Sequence, residues 1–125
     1  MQYTIDFMTD KNIVEVKMKG RLNFQISEKY SRDAVKIARK NDCAKFLIDH
    51  SETTMEGGIH KIHTAEAELQ QFGFKNTDRV AIIITNLEKD PGLVESLNPN
   101  VRWCILKYFD ASRVEDAYNW LLESD

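Results

Sequence analysis

The segment Ala44-Lys45-Phe46-Leu47-Ile48-Asp49 is an apolar run that ends in a carboxylate. A continuous apolar stretch of this length is typical of a strand that is buried on both faces of a sheet. The carboxyl ends of such strands are where open α/β sheets usually place their functional residues. We therefore expect a strand over Ala44 to Ile48, with Asp49 at the start of a functional loop.

Two alternating segments precede this run. Tyr3 to Met8 and Ile13 to Met18 alternate apolar and polar residues, which predicts the two strands of a hairpin. Residues 9–12 between them favour a turn, because short polar side chains bond their own backbone. Gly20 is expected to break the second strand.

Helical spacing of apolar residues predicts about four helices, which begin near Ser27, Ile59, Pro91 and Ser112. Ser27 can cap the first of them, which runs to about Asn41, since a hydroxyl accepts a bond from the first turn. The second helix extends to Phe72. Ser112-Arg113-Val114-Glu115 is a capping box for the last helix.

Two further strands complete the expected sheet. Arg79 to Thr85 is a second apolar run that is buried on both faces, and Val101 to Phe109 is the last strand. Strands that alternate with helices after an opening hairpin indicate an α/β fold. We expect a mainly parallel five-stranded sheet opened by an antiparallel hairpin, in a single domain over residues 1–125.

Composition excludes several classes of function. The chain carries 17 lysines and arginines against 20 aspartates and glutamates, a net charge of −3. Its densest basic group, Lys17, Lys19 and Arg21, alternates along a strand and forms no patch of the kind that binds phosphates. Nucleic acid is therefore not an expected partner.

No stretch approaches the roughly 20 apolar residues of a membrane helix, so no integral membrane segment is expected. The first residues lack the basic and apolar regions of a signal peptide. These features favour the cytoplasm. Cys43 and Cys104 are accordingly interpreted as buried free thiols.

Four segments follow one another in a recognisable order: Gly20-Arg21-Leu22, Phe46-Leu47-Ile48-Asp49, Asp78-Arg79-Val80-Ala81, and Glu115 to Leu121 after Phe109. Together they resemble the SpoIIAA-like branch of the STAS superfamily, named for sulfate transporters and anti-sigma-factor antagonists. The similarity extends from about Ile13 to Leu122.

The resemblance implies a small regulatory or binding domain that is not an enzyme. Relatives in the antagonist branch bind a kinase and are switched by phosphorylation of a serine after the Asp-ended strand. This chain departs from their Asp-Ser-Ser-Gly segment, because Met55-Glu56-Gly57-Gly58 stands in its place. None of Ser51, Thr53 and Thr54 aligns with that serine, so the phosphorylation cycle is not carried over.

The loop from Ser51 to Gly58 is the candidate site. A helix N-terminus after it would favour an anion or a phosphorylated hydroxyl. In the simpler interpretation, Thr53 or Thr54 only caps the helix and the glycines permit the turn. The residues assigned to partner or ligand binding are Asp49, Ser51, Thr53, Thr54, Glu56, Gly57, Gly58, Ile59 and Ile62.

Catalytic and metal sites are weaker candidates. His60 and His63 share a helix face with Glu56 or Glu66, yet the spacing matches no zinc motif. The neighbours Asp49-His50-Ser51 form a poor triad, because successive strand residues point to opposite faces. No cofactor is indicated.

The sequence thus predicts a non-enzymatic regulatory or protein-binding domain whose partner is not identified, with homodimerisation left open. The alternative is a carrier of a small apolar ligand. That ligand would lie between the helix over 59–72 and the sheet, where apolar residues such as Ile59 and Ile62 would contact it.

Overall fold

The computed structural model describes residues 2–55, 66–85 and 105–123. Its strands are β1 (Gln2–Met8), β2 (Ile13–Leu22), β3 (Lys45–Met55), β4 (Arg79–Ile84) and β5 (Ile105–Asp110). Its helices are α1 (Phe24–Lys40), α2 (Glu66–Phe72) and α3 (Val114–Leu122), with a 3-10 turn at Ala111–Arg113 before α3.

The five strands form one sheet in the order β1-β2-β3-β4-β5. β1 and β2 are antiparallel, and each later strand runs parallel to its neighbour. The mainly parallel α/β sheet with an opening hairpin is therefore confirmed. The described residues contain three α-helices, and the additional helix expected near Pro91 lies outside them.

The sheet is covered on both sides, which explains the continuous apolar runs of β3 and β4. Phe46 and Ile82 pack beneath α1 and α2, on what we term the α1 face. Leu47, Ala81 and Ile83 pack beneath α3, on the α3 face. Each of the larger side chains, such as Phe46 or Leu47, contributes about 1.5–3 kcal/mol when fully buried. The expectation that these two strands are buried on both faces is confirmed.

β2 is longer than the sequence predicts. Gly20 was expected to end it, but the strand continues to Leu22, which is fully buried. Gly20 has a φ of 114°, a backbone conformation that residues with a Cβ rarely adopt. The glycine therefore lets the strand bend and continue, and the prediction of a break is wrong.

α1 begins one turn earlier than predicted. Asn23 is its N-cap, and the Asn23 Oδ1 accepts a hydrogen bond of 2.9 Å from the amide of Ile26. Ser27, the predicted cap, lies inside the helix and is 2% exposed. Asparagine and serine cap helices about equally well, so residue type alone does not favour Ser27 over Asn23.

The predicted capping box before α3 is also corrected. Ser112 lies within the 3-10 turn, and the Asp110 carboxylate accepts bonds of 2.9 Å from its amide and 2.6 Å from its hydroxyl. α3 starts only at Val114, without a side-chain cap. Asp110, at the end of β5, therefore acts as the cap. It directly precedes the 3-10 turn, which is the first helical turn of this segment.

An ion pair between the half-buried Arg39 and the buried Asp78 fixes the amino ends of β3 and β4. Arg39 Nη2 lies 2.6 Å from Asp78 Oδ2, and Arg39 Nη1 donates to the carbonyl of Cys43 at 2.9 Å. Asp78 is fully buried and also accepts a bond of 2.7 Å from the amide of Lys75. Cys43 is a buried free thiol, as expected, while Cys104 lies outside the described residues.

Candidate functional site

The predicted loop after Asp49 is largely a strand. β3 runs to Met55, so Asp49 and Ser51 lie within it, near the carboxyl end of the sheet. This correction follows from the extra length of β2, which offers backbone partners to β3 beyond Asp49. A strand end depends on its neighbour, and sequence periodicity does not reveal that neighbour.

Thr53 and Thr54 do not cap a helix. They pair in β3 with Gly20 and Arg21 of β2, and Thr53 Oγ1 lies 3.4 Å from the carbonyl of Met18. The remaining candidates lie outside the described residues, namely Glu56, Gly57, Gly58, Ile59 and Ile62, together with His60 and His63.

A β-bulge re-aims the end of β3. Lys17 pairs with Asp49, but Lys19 pairs with Glu52, so β3 holds one extra residue between the two pairs. The Asp49 Oδ1 accepts a bond of 2.8 Å from the amide of Ser51 and so stabilises the bulge. Because of the extra residue, Asp49 and Glu52 lie on the same face although they are three positions apart.

The bulge borders an open recess of about 180 Å³. Lys17 and Lys19 of β2 line it beside Asp49 and Glu52 of β3, with Ser51 between the two carboxylates. Both lysines and Glu52 are exposed to solvent, and Asp49 is half-buried. Two positive charges on β2 thus face two negative charges on the neighbouring β3.

β1 forms the outer wall of the recess. Gln2 and Thr4 contribute to the lining, and the exposed Thr4 pairs with Lys17 in the hairpin. The six residues that β1 and β2 contribute here were not assigned to the site from the sequence. The available signal was the alternation that places Lys17 and Lys19 on the exposed side of β2.

Glu15 connects the recess to α3. The Tyr118 hydroxyl of α3 donates to Glu15 Oε2, and Lys17 Nζ lies 3.5 Å from Glu15 Oε1. Burial of the tyrosine, followed by its bond to Glu15, raises the pKa of Tyr118 above its usual value. Tyr118 therefore remains a protonated donor at neutral pH and fixes α3 against the edge of the site.

His50 lies on the opposite face from the recess. It is 3% exposed, and its Nε2 lies 3.4 Å from the Tyr30 hydroxyl of α1. Burial lowers the pKa of His50 to about 4, and the Asp49 charge opposes this only in part. Asp49 faces the recess, so Asp49, His50 and Ser51 do not converge as a catalytic triad would.

The space for an apolar ligand is very small in the described part of the chain. Between α2 and the sheet, beside Leu69 and Phe72, the cavity is about 10 Å³, room for roughly one water molecule. This volume gives no support to the carrier alternative. Within the same ranges, no group of three histidine, cysteine or acidic side chains is placed to hold a metal ion.

Comparison with models of known protein families finds no match for the chain, and no curated protein matches it either. Among residues 2–55, 66–85 and 105–123, no helix has both the length and the apolar composition needed to cross a lipid bilayer.

Proposed function

We propose that the chain is a non-enzymatic, cytoplasmic regulatory domain of the STAS type, which binds a protein partner through the recess. The observation that carries the proposal is the pattern of charges around it. Lys17 and Lys19 stand beside Asp49 and Glu52 on adjacent strands. A row of two positive charges beside a row of two negative charges gives a partner orientation and register more than raw affinity, which suits a regulatory contact.

The placement of the motif residues supports the STAS assignment. Gly20 lies in β2 before α1, Asp49 lies in the middle of β3, and Arg79 begins β4. Gly20 and Arg79 hold the positions that the resemblance implies for the opening hairpin and the arginine-led strand, whereas β3 continues beyond Asp49 to Met55. The assignment predicts a domain that acts by binding.

The size of the recess favours a macromolecular partner. Pockets for small ligands are usually about 300–1,000 Å³ and enclose most of the ligand. A recess of about 180 Å³ accommodates one or two side chains of a protein that contacts the surrounding strands. The charged lining then forms salt bridges or hydrogen bonds with those side chains.

The chemistry around Asp49 supports a binding role over catalysis. Its carboxylate already accepts the amide of Ser51, and His50, the neighbouring base, is buried on the other face. A nucleophile needs a base within hydrogen-bonding reach and usually a third group that orients the base. In the described part of the chain, the recess does not combine these groups.

The test is a charge reversal at the rim of the recess. Glu52→Lys replaces an exposed side chain, so we expect normal folding and a loss of partner affinity of about tenfold or more. The partner is first isolated from the native host with the full chain as bait. Its binding to purified wild-type and variant protein is then measured by titration calorimetry.

Glu123→Lys is the matched control. Glu123 is exposed and follows α3, whose neighbouring Trp120 contacts Arg79 at the amino end of β4, away from the recess. We expect this variant to bind as the wild type does. Equal affinities for Glu52→Lys and Glu123→Lys would show that the partner binds elsewhere, and turnover of a substrate by the purified chain would refute the non-enzymatic assignment.

A further inference from the structure

β1 is an edge strand with a complete set of pairs on one side. All seven of its residues, Gln2–Met8, pair with β2 without a bulge. Within the part of the chain that the structure describes, the other side of β1 has no neighbouring strand. Its outward amide and carbonyl groups therefore form a template onto which another strand can pair.

β1 also lacks the features that usually protect an edge. Proteins block edge strands with lysine, proline, bulges or very short length. β1 has one charged residue, Asp6, and neither proline nor a basic residue. The opposite edge differs, because β5 is shorter and carries Lys107 and Asp110.

We infer that two copies of this chain pair through β1, antiparallel and about a twofold axis at Ile5. The two five-stranded sheets then join into one continuous sheet. In this register Ile5 faces Ile5, Tyr3 faces Phe7, Thr4 faces Asp6 and Gln2 faces Met8. Apolar residues of the α1 face thus meet apolar residues, and each Asp6 meets a hydroxyl.

Other registers are less favourable. An axis at Asp6 would set two carboxylates directly opposite each other, which is destabilising. An axis at Thr4 would leave Phe7 and Met8 without partners within Gln2–Met8. A shift by one residue would place polar side chains against apolar ones and turn the helices of the two copies to opposite faces. The axis at Ile5 alone pairs all seven residues.

α1 extends the interface beyond the strand. The Tyr3 hydroxyl donates to Asp33 at 2.9 Å, so this flank of α1 overlies β1. Lys29 lies 3.4 Å from Asp33 and gives the flank a mixed charge. A twofold axis perpendicular to the sheet sets the two α1 helices on the same side of the dimer.

The affinity of the dimer is expected to be modest. A stable interface buries about 1,200–2,000 Å² of surface, and a strand pair alone buries less, so we expect a micromolar dissociation constant.

Dimerisation also completes the recess. Gln2 and Thr4 form its outer wall, and in the paired register Met8 and Asp6 of the second copy lie beside them. The second copy thus adds a carboxylate to the charged lining. This consequence rests on the proposed function of the recess, whereas the pairing of β1 does not.

The test introduces a negative charge at the exposed residue Thr4 in one variant and a positive charge there in another. Thr4→Asp sets two carboxylates opposite each other at two symmetric positions, and Thr4→Lys sets an ammonium opposite Asp6. We expect Thr4→Asp to weaken dimerisation about tenfold or more and Thr4→Lys to strengthen it several-fold. Sedimentation velocity of the full chain over a wide range of micromolar concentrations measures both.

We do not expect a folding defect to cause the weaker dimerisation of Thr4→Asp. Thr4 pairs with Lys17 within the monomer, so Thr4→Asp adds an attractive pair there while it repels the second copy. Thr9→Asp, an exposed change in the turn after β1, is the matched control and should dimerise as the wild type does. A wild-type chain that stays monomeric throughout would refute the inference, as would a dimer that Thr4→Asp leaves unchanged. Neither result depends on the partner that Glu52→Lys tests.

Discussion

Burial beneath α1 lowers the pKa of the His50 imidazole to about 4 from an ordinary value of 6.5. The folded chain keeps His50 neutral down to about pH 4, while the unfolded chain protonates it near pH 6.5. Between these values the unfolded state binds more protons. The free energy of unfolding therefore falls as the pH drops from about 6.5 to about 4, by on the order of 3 kcal/mol.

We predict that His50→Gln reduces this loss of stability. Glutamine keeps a polar side chain near Tyr30 but does not titrate, so its variant should lose about 2–3 kcal/mol less between pH 7 and pH 4.5. Urea unfolding of both proteins at the two pH values measures the difference. Carboxylates that titrate in this range are common to both proteins and cancel in the comparison. Identical pH dependence, or an NMR titration of His50 near pH 6.5, would contradict the burial described here.

The burial of some single residues could be predicted from the sequence, and the burial of others could not. The apolar identity of Phe46, Leu47 and Ile48 predicted their burial, because any covered sheet excludes water from such side chains. The burial of His50 was not predicted. Its environment depends on Tyr30, 20 positions earlier in the chain, which reaches it only in the folded state.

At the scale of the element, the start of α1 can be tested at two residues. Asn23 and Ser27 are both of a type that caps helices, but only Asn23 caps α1. We predict that Asn23→Ala lowers the free energy of unfolding by about 1 kcal/mol, since it removes the bond to the amide of Ile26. Ser27→Ala should leave stability unchanged or raise it. The Ser27 hydroxyl is buried without a hydrogen-bond partner among the described residues, so its loss removes only a desolvation cost. Denaturant midpoints of the two variants decide between these caps, and the reverse order would restore Ser27 as the cap.

The ends of elements were harder to predict than their cores. Periodicity located β2, but the sequence indicates a break at Gly20, where the strand instead bends and continues to Leu22. That continuation gave the residues after Asp49 a partner and turned an expected loop into strand. The misplaced loop and the misplaced strand end therefore have one physical cause, the conformational freedom of a glycine.

At the scale of the whole molecule, the order of the strands was predictable and the recess was not. Short right-handed connections place successive strands side by side, which requires only the sequence of elements. The recess depends on the register of three strands and on one bulge. Such non-local alignment leaves no periodic signal in the chain.

The two-sided cover of the sheet predicts a gradient of local stability. In native-state hydrogen exchange followed by NMR, we expect the slowest amides in β3 and β4, which helices cover on both faces. Amides of β1 that point away from β2 should exchange fastest in dilute protein and more slowly as the concentration rises. Amides of β1 that remain as protected as those of β4 at every dilution would contradict this gradient.

Because spatial neighbours in the sheet are also chain neighbours, the molecule suits assembly during synthesis. The hairpin emerges from the ribosome before β3, β4 and β5, and each later strand then docks on an edge that already exists. No strand has to wait for a segment that is made much later. Until β3 arrives, however, the hairpin has two open edges, and one of them is the β2 edge that later pairs with β3. We expect nascent chains that stall before β3 to need chaperone protection more than those that stall after it.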